Sequence, residues 1–173
     1  MPSSRAAEPP DITPGHLWLR PLQATADAEQ VAEVYRDAVL SQASGLYNAE
    51  QIRAWSGHPR NSEELSQALQ RGLGLVSCAS SGGSIEAFGL LDPLDRLSLL
   101  YCRGRSCRQG RATALLRALE DQARASGVPG LRTEASQLSR PLLERLGWST
   151  EAEETALYAG VAFVRWRMRR SLI

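Results

Sequence analysis

Lysine is absent from this 173-residue chain, in which all twenty basic residues are arginine. This absence excludes a P-loop nucleotide site, because that motif needs a lysine after its glycines. Cysteine is scarce, and Cys78, Cys102 and Cys107 have neither zinc-site spacing nor that of a disulfide framework. No apolar run approaches the ~18–20 residues that a membrane-spanning helix requires. The class that remains is a globular domain in which no metal is expected.

Positive and negative charges nearly cancel, and the formal net charge is +1. Such a chain has no general attraction to nucleic acid or membrane surfaces. Residues 1–15 carry four prolines and no apolar core segment, so they are predicted to be a flexible leader rather than a secretory signal. Residues 16–173 are predicted to form one domain. The odd cysteine count without an export signal predicts a cytoplasmic location, and the arginine bias favours a bacterial origin.

Periodicity divides the rest of the chain into helices and strands. Helical spacing of apolar residues begins at Ala28, and two more helical segments start near Asn48 and Asn61. The other predicted elements are strands at 17–22, 73–79, 85–92, 97–102 and 131–134, helices from about 112 and at 139–146, and two terminal strands. This order predicts an α/β fold, with a mixed sheet that has helices on both faces.

Local signals set several boundaries within that pattern. Asn48 and Gln51 have the spacing of a capping box, and the helix that they open is expected to end before Gly57. The uninterrupted apolar run at 97–102 predicts a strand buried on both faces. Alternation in the last strand places four apolar residues on one face, namely Ala162, Val164, Trp166 and Met168. Arginines lie on the other face, which makes the RWRMRR ending a strand rather than a nucleic-acid-binding tail.

The most informative stretch joins the strand ending at Cys102 to the helix starting near Ala112. Backbone N–H groups at a helix start have no partner within the helix and carry partial positive charge. Small residues at Gly110 and Ala112 let a diphosphate approach these donors. The loop also carries four arginines, whose guanidinium groups are forked donors for phosphate: Arg103, Arg105, Arg108 and Arg111. This chemistry favours a phosphate-bearing ligand, with a solvated turn as the alternative, and the glycine spacing does not fit a dinucleotide fingerprint.

Three motifs in order along the chain resemble those of the GNAT superfamily of N-acetyltransferases. Leu100-Tyr101-Cys102 is similar to the family's strand end L-Y-V, and the loop from Cys107 to Ala112 (CRQGRA) is similar to Q/R-x-x-G-x-G/A. The segment TEASQLSRPLLERLGW resembles A-S-x-x-A-x-x-F-[YF]-E-x-x-G-F. Upstream, GLYNAEQIRAWSG resembles Y-[ST]-x-E-Q-[IL]-x-A-W of a bacterial branch of small, single-domain members. The resemblance covers about residues 16–171.

The resemblance implies a GNAT-like acyl-CoA N-acyltransferase fold, with a mostly antiparallel sheet of six or seven strands. It implies acetyl-CoA as co-substrate, whose pantetheine arm would pair like an added strand with the strand edge at Leu100, Tyr101 and Cys102. The diphosphate would lie on the loop and helix start formed by Cys107, Arg108, Gln109, Gly110, Arg111, Ala112 and Thr113. Ser136 and Ser139 would face the strand across a gap. Tyr47 and Trp55 would line the side on which the acceptor enters.

Four positions depart from the family pattern. Cys107 replaces the usual Gln or Arg, and Cys102-Arg103-Gly104 replaces V-x-P after the strand. Ser98 stands where relatives of this branch often carry Asp, and Leu143 stands where many members carry the tyrosine that protonates the leaving thiolate. Cofactor binding through backbone groups tolerates the first two changes, whereas proton transfer requires side chains. Because of the last two changes, the family pattern does not identify the residues that transfer protons in this chain.

Candidates for proton transfer come from residues around the gap. Attack of an amine on a thioester needs a group that takes a proton and donors that stabilise the developing negative charge. Glu134 is the candidate base, with a strand-end charge as its alternative role, and Tyr158 is the candidate acid, with aromatic packing as its alternative. Cys107 lies between arginines near a helix start, surroundings that lower a thiol pKa and allow an acyl-cysteine route, with a chance substitution in a loop as the alternative. His58 is expected in a loop, in contact with substrate or with solvent.

The sequence therefore predicts an acetyl-CoA-dependent N-acetyltransferase that acts on a small-molecule or protein amine in a ternary complex. The alternative is a catalytically impaired acyl-CoA-binding sensor or regulatory protein of the same fold. Nucleic acid and membranes are not expected as partners, and the apolar face of the last strand is compatible with a homodimer. No acidic cluster near Tyr47 and Trp55 indicates a polycationic acceptor.

Overall fold

The computed structural model describes residues 17–61 and 63–173, so the leader predicted for residues 1–15 lies outside the described residues. Along the chain the elements are β1 (Leu19–Pro21), α1 (Ala28–Gln42), α2 (Ala49–Asn61), α3 (Glu63–Arg71), β2 (Leu73–Cys78), β3 (Ile85–Leu91), β4 (Leu97–Cys102), α4 (Arg111–Ala125), β5 (Gly130–Ala135), α5 (Arg140–Arg145), β6 (Ser149–Tyr158) and β7 (Val161–Ser171). A short 3₁₀ turn, Gly104–Ser106, lies between β4 and α4. Within these ranges no helix has the length and apolar character needed to cross a bilayer.

The seven strands form two antiparallel sheets that meet at one end. β1 to β4 pair in chain order, and β7 lies between β5 and β6. The two sheets touch where Arg96 and Arg132 form a parallel bridge and the Thr133 hydroxyl donates to the Leu97 carbonyl at 2.6 Å. Past Leu97, β4 and β5 belong to separate sheets, which leaves a gap between them. The α/β class and the mostly antiparallel sheet of six to seven strands are confirmed.

Helices cover both faces of the sheet, as the element order predicts. On one face, α1 and α3 pack on β2 and β3 in a cluster that includes Val76 and Phe88. On the other face, α4 packs in a cluster that includes Leu75 and Leu115. Neighbouring strand residues such as Leu75 and Val76 enter opposite cores because side chains alternate across a strand. β3 is buried along its whole length and lies between β2 and β4 in its sheet.

The start of α2 follows its sequence signal, but its end does not. Asn48 N donates to Gln51 Oε1 at 3.0 Å and Gln51 N donates to Asn48 Oδ1 at 2.9 Å, which confirms the capping box. The helix then continues through Gly57 to Asn61, so the predicted end is wrong. A glycine inside a helix costs only about 1 kcal/mol relative to alanine, and α2 gains contacts by packing along α1.

β4 and β7 are exposed differently from the sequence prediction. Of the β4 residues only Leu97 is buried, because the neighbouring strand diverges from this edge. In β7, Met168 is buried in the core and Trp166 packs against it, whereas Ala162 and Val164 are exposed. Much of the apolar face that was compatible with a homodimer is therefore used inside the chain. Phe163 is half-buried on the opposite face, towards α2 and the segment that precedes it.

Candidate functional site

The gap between β4 and β5 opens into two adjoining cavities. The first, the β4 groove, has a volume of about 410 Å³ and runs from the edge of β4 to the start of α4. Eleven of the residues predicted to bind the cofactor line it: Leu100, Tyr101, Cys102, Cys107, Arg108, Gly110, Arg111, Ala112, Thr113, Ser136 and Ser139. The twelfth, Gln109, is exposed and lies outside this lining.

The backbone at the start of α4 presents amide groups to this groove. Gly110 caps the helix with a φ of 83°, and Arg108 has a φ of 60°. The first helical hydrogen bond runs from Ala114 N to Gly110 O at 2.9 Å, so the amides of residues 111–113 have no partner within the helix. Amides in this position bind anions, because they donate together and carry the positive end of the helix dipole.

Three of the four loop arginines point their side chains at the protein rather than at the groove. Arg103 and Arg105 donate to groups of β3. Arg111 is buried, and its Nη1 donates to groups of β2 at 2.8 and 2.9 Å, so its guanidinium is held against β2. Arg108 is exposed, and among residues 17–61 and 63–173 no ion pair is found for it. Of the four guanidinium groups predicted to bind phosphate, only that of Arg108 is therefore left for this role.

Glu86 fixes the loop from the β3 side. The residue is 3% exposed, and its carboxylate accepts hydrogen bonds from Arg105 at 2.6 and 3.0 Å, from Ser106 at 2.7 Å and from Ser84 at 2.9 Å. The bond from the Arg105 guanidinium, helped by the two hydroxyls, lowers the pKa of Glu86 to about 2 in spite of burial. An ionised, fully bonded carboxylate thus anchors the loop. The sequence does not reveal this anchor, since Arg105 and Ser106 are about twenty residues from Glu86 along the chain.

The end of β4 is held in place by α1. Gln42 Nε2 donates to the Cys102 carbonyl at 2.8 Å, and Gly104 N donates to Asp37 Oδ1 at 2.8 Å. These bonds fix the backbone where the strand turns into the loop. Neither Gln42 nor Asp37 was singled out in the sequence, because a polar residue on a helix is ordinarily solvated.

Two cysteine thiols lie together at this turn. Cys102 Sγ and Cys107 Sγ both approach the Arg103 carbonyl, at 3.5 and 3.3 Å. Burial, with a further contribution from the neighbouring Cys107, raises the pKa of the Cys102 thiol to about 12. Cys102 is therefore a neutral thiol at physiological pH, and as a thiol it is a poor nucleophile.

The second cavity, the aromatic cavity, has a volume of about 360 Å³ and lies between the helices α1 to α3 and the β6–β7 hairpin. All four tyrosines of the chain line it, with Trp55, His58 and Phe163: they are Tyr35, Tyr47, Tyr101 and Tyr158. Ring centroids are separated by 4.4 Å for Tyr35 and Tyr101 and by 6.4 Å for Trp55 and Tyr101. Tyr47 and Trp55 were predicted for this side. Tyr35 and Phe163 were missed, because only the fold brings them together.

The tyrosine hydroxyls differ in their surroundings. The Tyr101 hydroxyl accepts from Trp55 Nε1 at 3.1 Å, and the Tyr47 hydroxyl accepts from Gln137 N at 2.9 Å. The Tyr158 hydroxyl is buried and has no hydrogen bond of acceptable geometry within the described part of the chain. Burial raises the pKa of Tyr158, partly offset by the Tyr35 hydroxyl. The pKa values of the other three tyrosines are also raised by burial, so all four are neutral phenols at physiological pH.

His58 belongs to this cavity and not to a loop. It lies within α2, and its ring centroid is 4.8 Å from that of Tyr158 and 6.1 Å from that of Tyr35. Burial lowers the pKa of His58, and the charge of Glu64 offsets part of that shift. The imidazole is therefore neutral at physiological pH.

The β4 groove and the aromatic cavity meet at a common set of residues, the junction, which consists of Trp55, Ser98, Leu99, Tyr101, Glu134 and Ser136. Glu134, the candidate base, accepts a hydrogen bond from Arg96 Nε at 2.9 Å and is half-buried. Tyr158, the candidate acid, lines the aromatic cavity only. Leu143 is buried beside the groove. Across the described ranges no group of His, Cys, Asp and Glu side chains is arranged to hold a metal ion.

A family model for the acetyltransferase (GNAT) domain matches residues 44–170. This match covers most of the chain, and the chain belongs to the GNAT acetyltransferase family. The resemblance of the sequence motifs to the GNAT superfamily is thereby confirmed. No curated protein matches the chain.

Solved structures of GNAT proteins share the fold over nearly the whole chain. The GCN5-related N-acetyltransferase from Rhodopseudomonas palustris is 22% identical, covers 94% of this chain and 99% of its own, and gives a TM-score of 0.85. The PaiA N-acetyltransferase from Thermoplasma acidophilum, in complex with coenzyme A, is 20% identical over 88% of this chain and 97% of its own, with a TM-score of 0.70. An acetyltransferase from Salmonella typhimurium, YncA, with its cofactor acetyl-CoA, is 19% identical. It covers 92% of this chain and 95% of its own, with a TM-score of 0.62. At these identities the likeness is one of fold.

Proposed function

We propose that this protein is an acetyl-CoA-dependent N-acetyltransferase, which transfers the acetyl group to an amine within a ternary complex. The observation that carries the proposal is the junction, where a groove suited to a diphosphate and an extended arm meets a separate cavity. Membership of the GNAT family supports it, as do similar structures that hold coenzyme A or acetyl-CoA. The acceptor would occupy the aromatic cavity and meet the thioester at the junction.

The residues of the β4 groove fit acetyl-CoA. The amides of residues 111–113 and the exposed Arg108 offer donors to the diphosphate. The edge of β4 beyond Leu97 faces the gap, so its backbone groups are available to the amides of the pantetheine arm. Ser136 and Ser139 line the opposite side, in a turn closed by their own hydrogen bonds of 3.0 and 3.1 Å.

Glu134 is the group that we place at the attacking amine. It lies at the junction, and the bond to Arg96 fixes its orientation. The carboxylate would take a proton from the amine, directly or through one water molecule. The amine nitrogen forms its bond to the acetyl carbon, and the bond from that carbon to sulfur breaks.

Tyr158 is the group that we propose as the source of the proton for the leaving thiolate. Its hydroxyl is buried and protonated, and it interacts with the Tyr35 hydroxyl without a hydrogen bond of acceptable geometry. Because Tyr158 does not line the groove, its proton would pass by way of Tyr35 to Tyr101, which lines both cavities. Solvent would then restore the proton on Tyr158.

Thermal melting of the purified chain tests the proposal, with coenzyme A and ATP as comparison ligands. A ligand at 100 times its Kd adds about 2.7 kcal/mol of stability, which is several degrees in a domain of this size. We expect a clear shift with acetyl-CoA, a weaker one with coenzyme A and none with ATP, followed by release of coenzyme A when an amine is added. No shift at millimolar acetyl-CoA would contradict the proposal. A shift without release by any amine would favour the acyl-CoA-binding sensor.

A further inference from the structure

Aromatic side chains are few in this chain and concentrated in one place. They make up 6% of the residues, and six of the ten line the aromatic cavity. The cavity volume of about 360 Å³ lies at the small end of the range for small-molecule sites. Such a concentration in a chain so poor in aromatics points to recognition of a particular kind of molecule.

The rings are arranged as walls around the cavity. Tyr47 and Trp55 meet at an interplanar angle of 71°, Trp55 and Phe163 at 79°, and Tyr158 and Phe163 at 89°. These edge-to-face contacts leave ring faces and edges, rather than polar atoms, as much of the lining. Aromatic walls of this kind bind another ring by stacking or edge contact, and attract an alkylammonium group by a cation–π interaction.

The charged side chains that line the same cavity are paired, except for Glu64, which is exposed and for which no ion pair is found in the described part of the chain. Asp92 accepts from Arg71 at 2.6 and 3.0 Å, and Glu134 accepts from Arg96 at 2.9 Å. Arg165 donates to Glu154 at 2.7 Å. A polyamine or an aminoglycoside needs several carboxylates free to meet its ammonium groups, and an amino acid needs an arginine free to meet its carboxylate. This pairing therefore favours an acceptor with a single charge.

We propose that the acceptor is a primary arylalkylamine, a monoamine whose aromatic ring lies among Trp55, Tyr158 and Phe163 and whose amino group reaches Glu134. This inference rests on the proposed function, since it names the acceptor of the same site. A short alkyl chain between the ring and the amino group fits this placement, because Trp55 belongs both to the aromatic wall and to the junction that holds Glu134. A large or multiply charged amine loses both the aromatic contacts and charge compensation.

The experiment measures release of coenzyme A from acetyl-CoA with a panel of amines at equal concentration. The panel consists of 2-phenylethylamine, tryptamine, spermidine, kanamycin, L-phenylalanine and a peptide with a free N-terminus. Product is quantified by chromatography, because a thiol reagent would also react with the partly exposed Cys107. We expect kcat/KM for the two arylalkylamines to exceed that for every other amine by at least about tenfold.

A matched pair of variants tests the role of the aromatic wall. Phe163→Ala should raise KM for 2-phenylethylamine about tenfold and leave the melting shift with acetyl-CoA unchanged. Leu46→Ala removes an exposed apolar side chain that lines neither cavity, and should change neither quantity. Calorimetry of 2-phenylethylamine binding to the protein with coenzyme A bound gives a readout that does not depend on turnover.

The outcomes separate the two proposals. If acetyl-CoA gives no melting shift with the wild-type protein, both the proposed function and this inference are overturned. A retained shift with faster release by spermidine, kanamycin, L-phenylalanine or the peptide overturns the arylalkylamine alone. A retained shift with no release by any amine and no calorimetric binding of 2-phenylethylamine also overturns it. Preference for the arylalkylamines, weakened by Phe163→Ala, establishes it.

Discussion

Glu134 accepts a hydrogen bond from Arg96 at 2.9 Å, beside the bridge that holds the two sheets together. Arg96 itself forms that bridge with Arg132, two residues before Glu134. The carboxylate is thus fixed close to the residues through which the two separating strands are still in contact. Its position relative to the gap is set by backbone pairing, and its orientation is set by the guanidinium.

Replacement of Glu134 by Gln tests its role as the base. The amide keeps the size of the side chain and can still accept from Arg96, but it cannot take a proton. We expect kcat to fall about 100-fold or more, while the melting shift with acetyl-CoA is retained. Glu144→Gln, which alters an exposed pair with Arg140 within α5, is the matched control and should leave kcat unchanged. Full activity of the Glu134 variant would rule out the proposed base.

Tyr158→Phe separates proton donation from packing. The hydroxyl is buried without a satisfactory partner, so its removal should leave the free energy of unfolding unchanged or slightly higher. Tyr47→Phe removes the acceptor of the Gln137 amide and should cost about 1 kcal/mol by comparison. If Tyr158 supplies the proton, its variant loses about tenfold or more in kcat. Unchanged kcat, with stability measured by urea unfolding, would leave Tyr158 a packing residue.

Gly110→Ala tests the loop as a diphosphate site. Gly110 has a φ of 83°, and a Cβ there meets open space, so alanine costs about 1 kcal/mol through backbone strain alone. The added methyl group lies in the lining of the groove, and the melting shift with acetyl-CoA should shrink markedly.

Gly127 provides the matched control at the other end of the same helix. Its φ is 80° and its Cβ position is also open, so Gly127→Ala should lower stability to a similar extent. The acetyl-CoA shift of that variant should equal that of the wild type. Equal shifts for the two alanine variants would contradict binding at the start of α4.

The stability of the protein should fall at acid pH through Glu86. Its pKa is lowered from 4.5 to about 2 in the folded chain by Arg105 and two hydroxyls. A carboxylate with a lowered folded pKa stabilises the fold fully above its unfolded pKa, and the contribution is lost as the pH falls from about 4.5 to about 2. Urea unfolding at pH 7 and pH 3 measures the loss. Glu86→Gln should show a smaller difference between the two pH values, whereas the exposed Glu151→Gln should behave as wild type.

Features decided by near neighbours in the chain could be predicted. The capping box of Asn48 and Gln51 forms as its spacing requires, and the glycine before α4 takes the conformation that the loop needs. The aromatic cavity could be predicted only in part. Tyr47 and Phe163 have ring centroids 5.9 Å apart but are separated by more than a hundred residues, and no local pattern records that contact.

The loop arginines illustrate the same limit in another way. From the sequence, each guanidinium is an equal candidate for phosphate. The fold assigns Arg105 to Glu86 and Arg111 to the carbonyl of Cys78, because those strand groups lie within reach. A buried acceptor that needs a donor competes with an outside ligand for the same side chain, and that competition is decided by tertiary contacts.

The separation of the groove from the aromatic cavity has a kinetic consequence. The start of α4 contributes to one and the β6–β7 hairpin to the other, and they share only the junction. Acetyl-CoA in the groove would then leave the aromatic cavity accessible, and an amine in that cavity would leave the groove accessible. We therefore expect the two substrates to bind in either order. Initial-rate plots at several fixed concentrations of one substrate should intersect rather than run parallel. Product inhibition by coenzyme A should be competitive with acetyl-CoA.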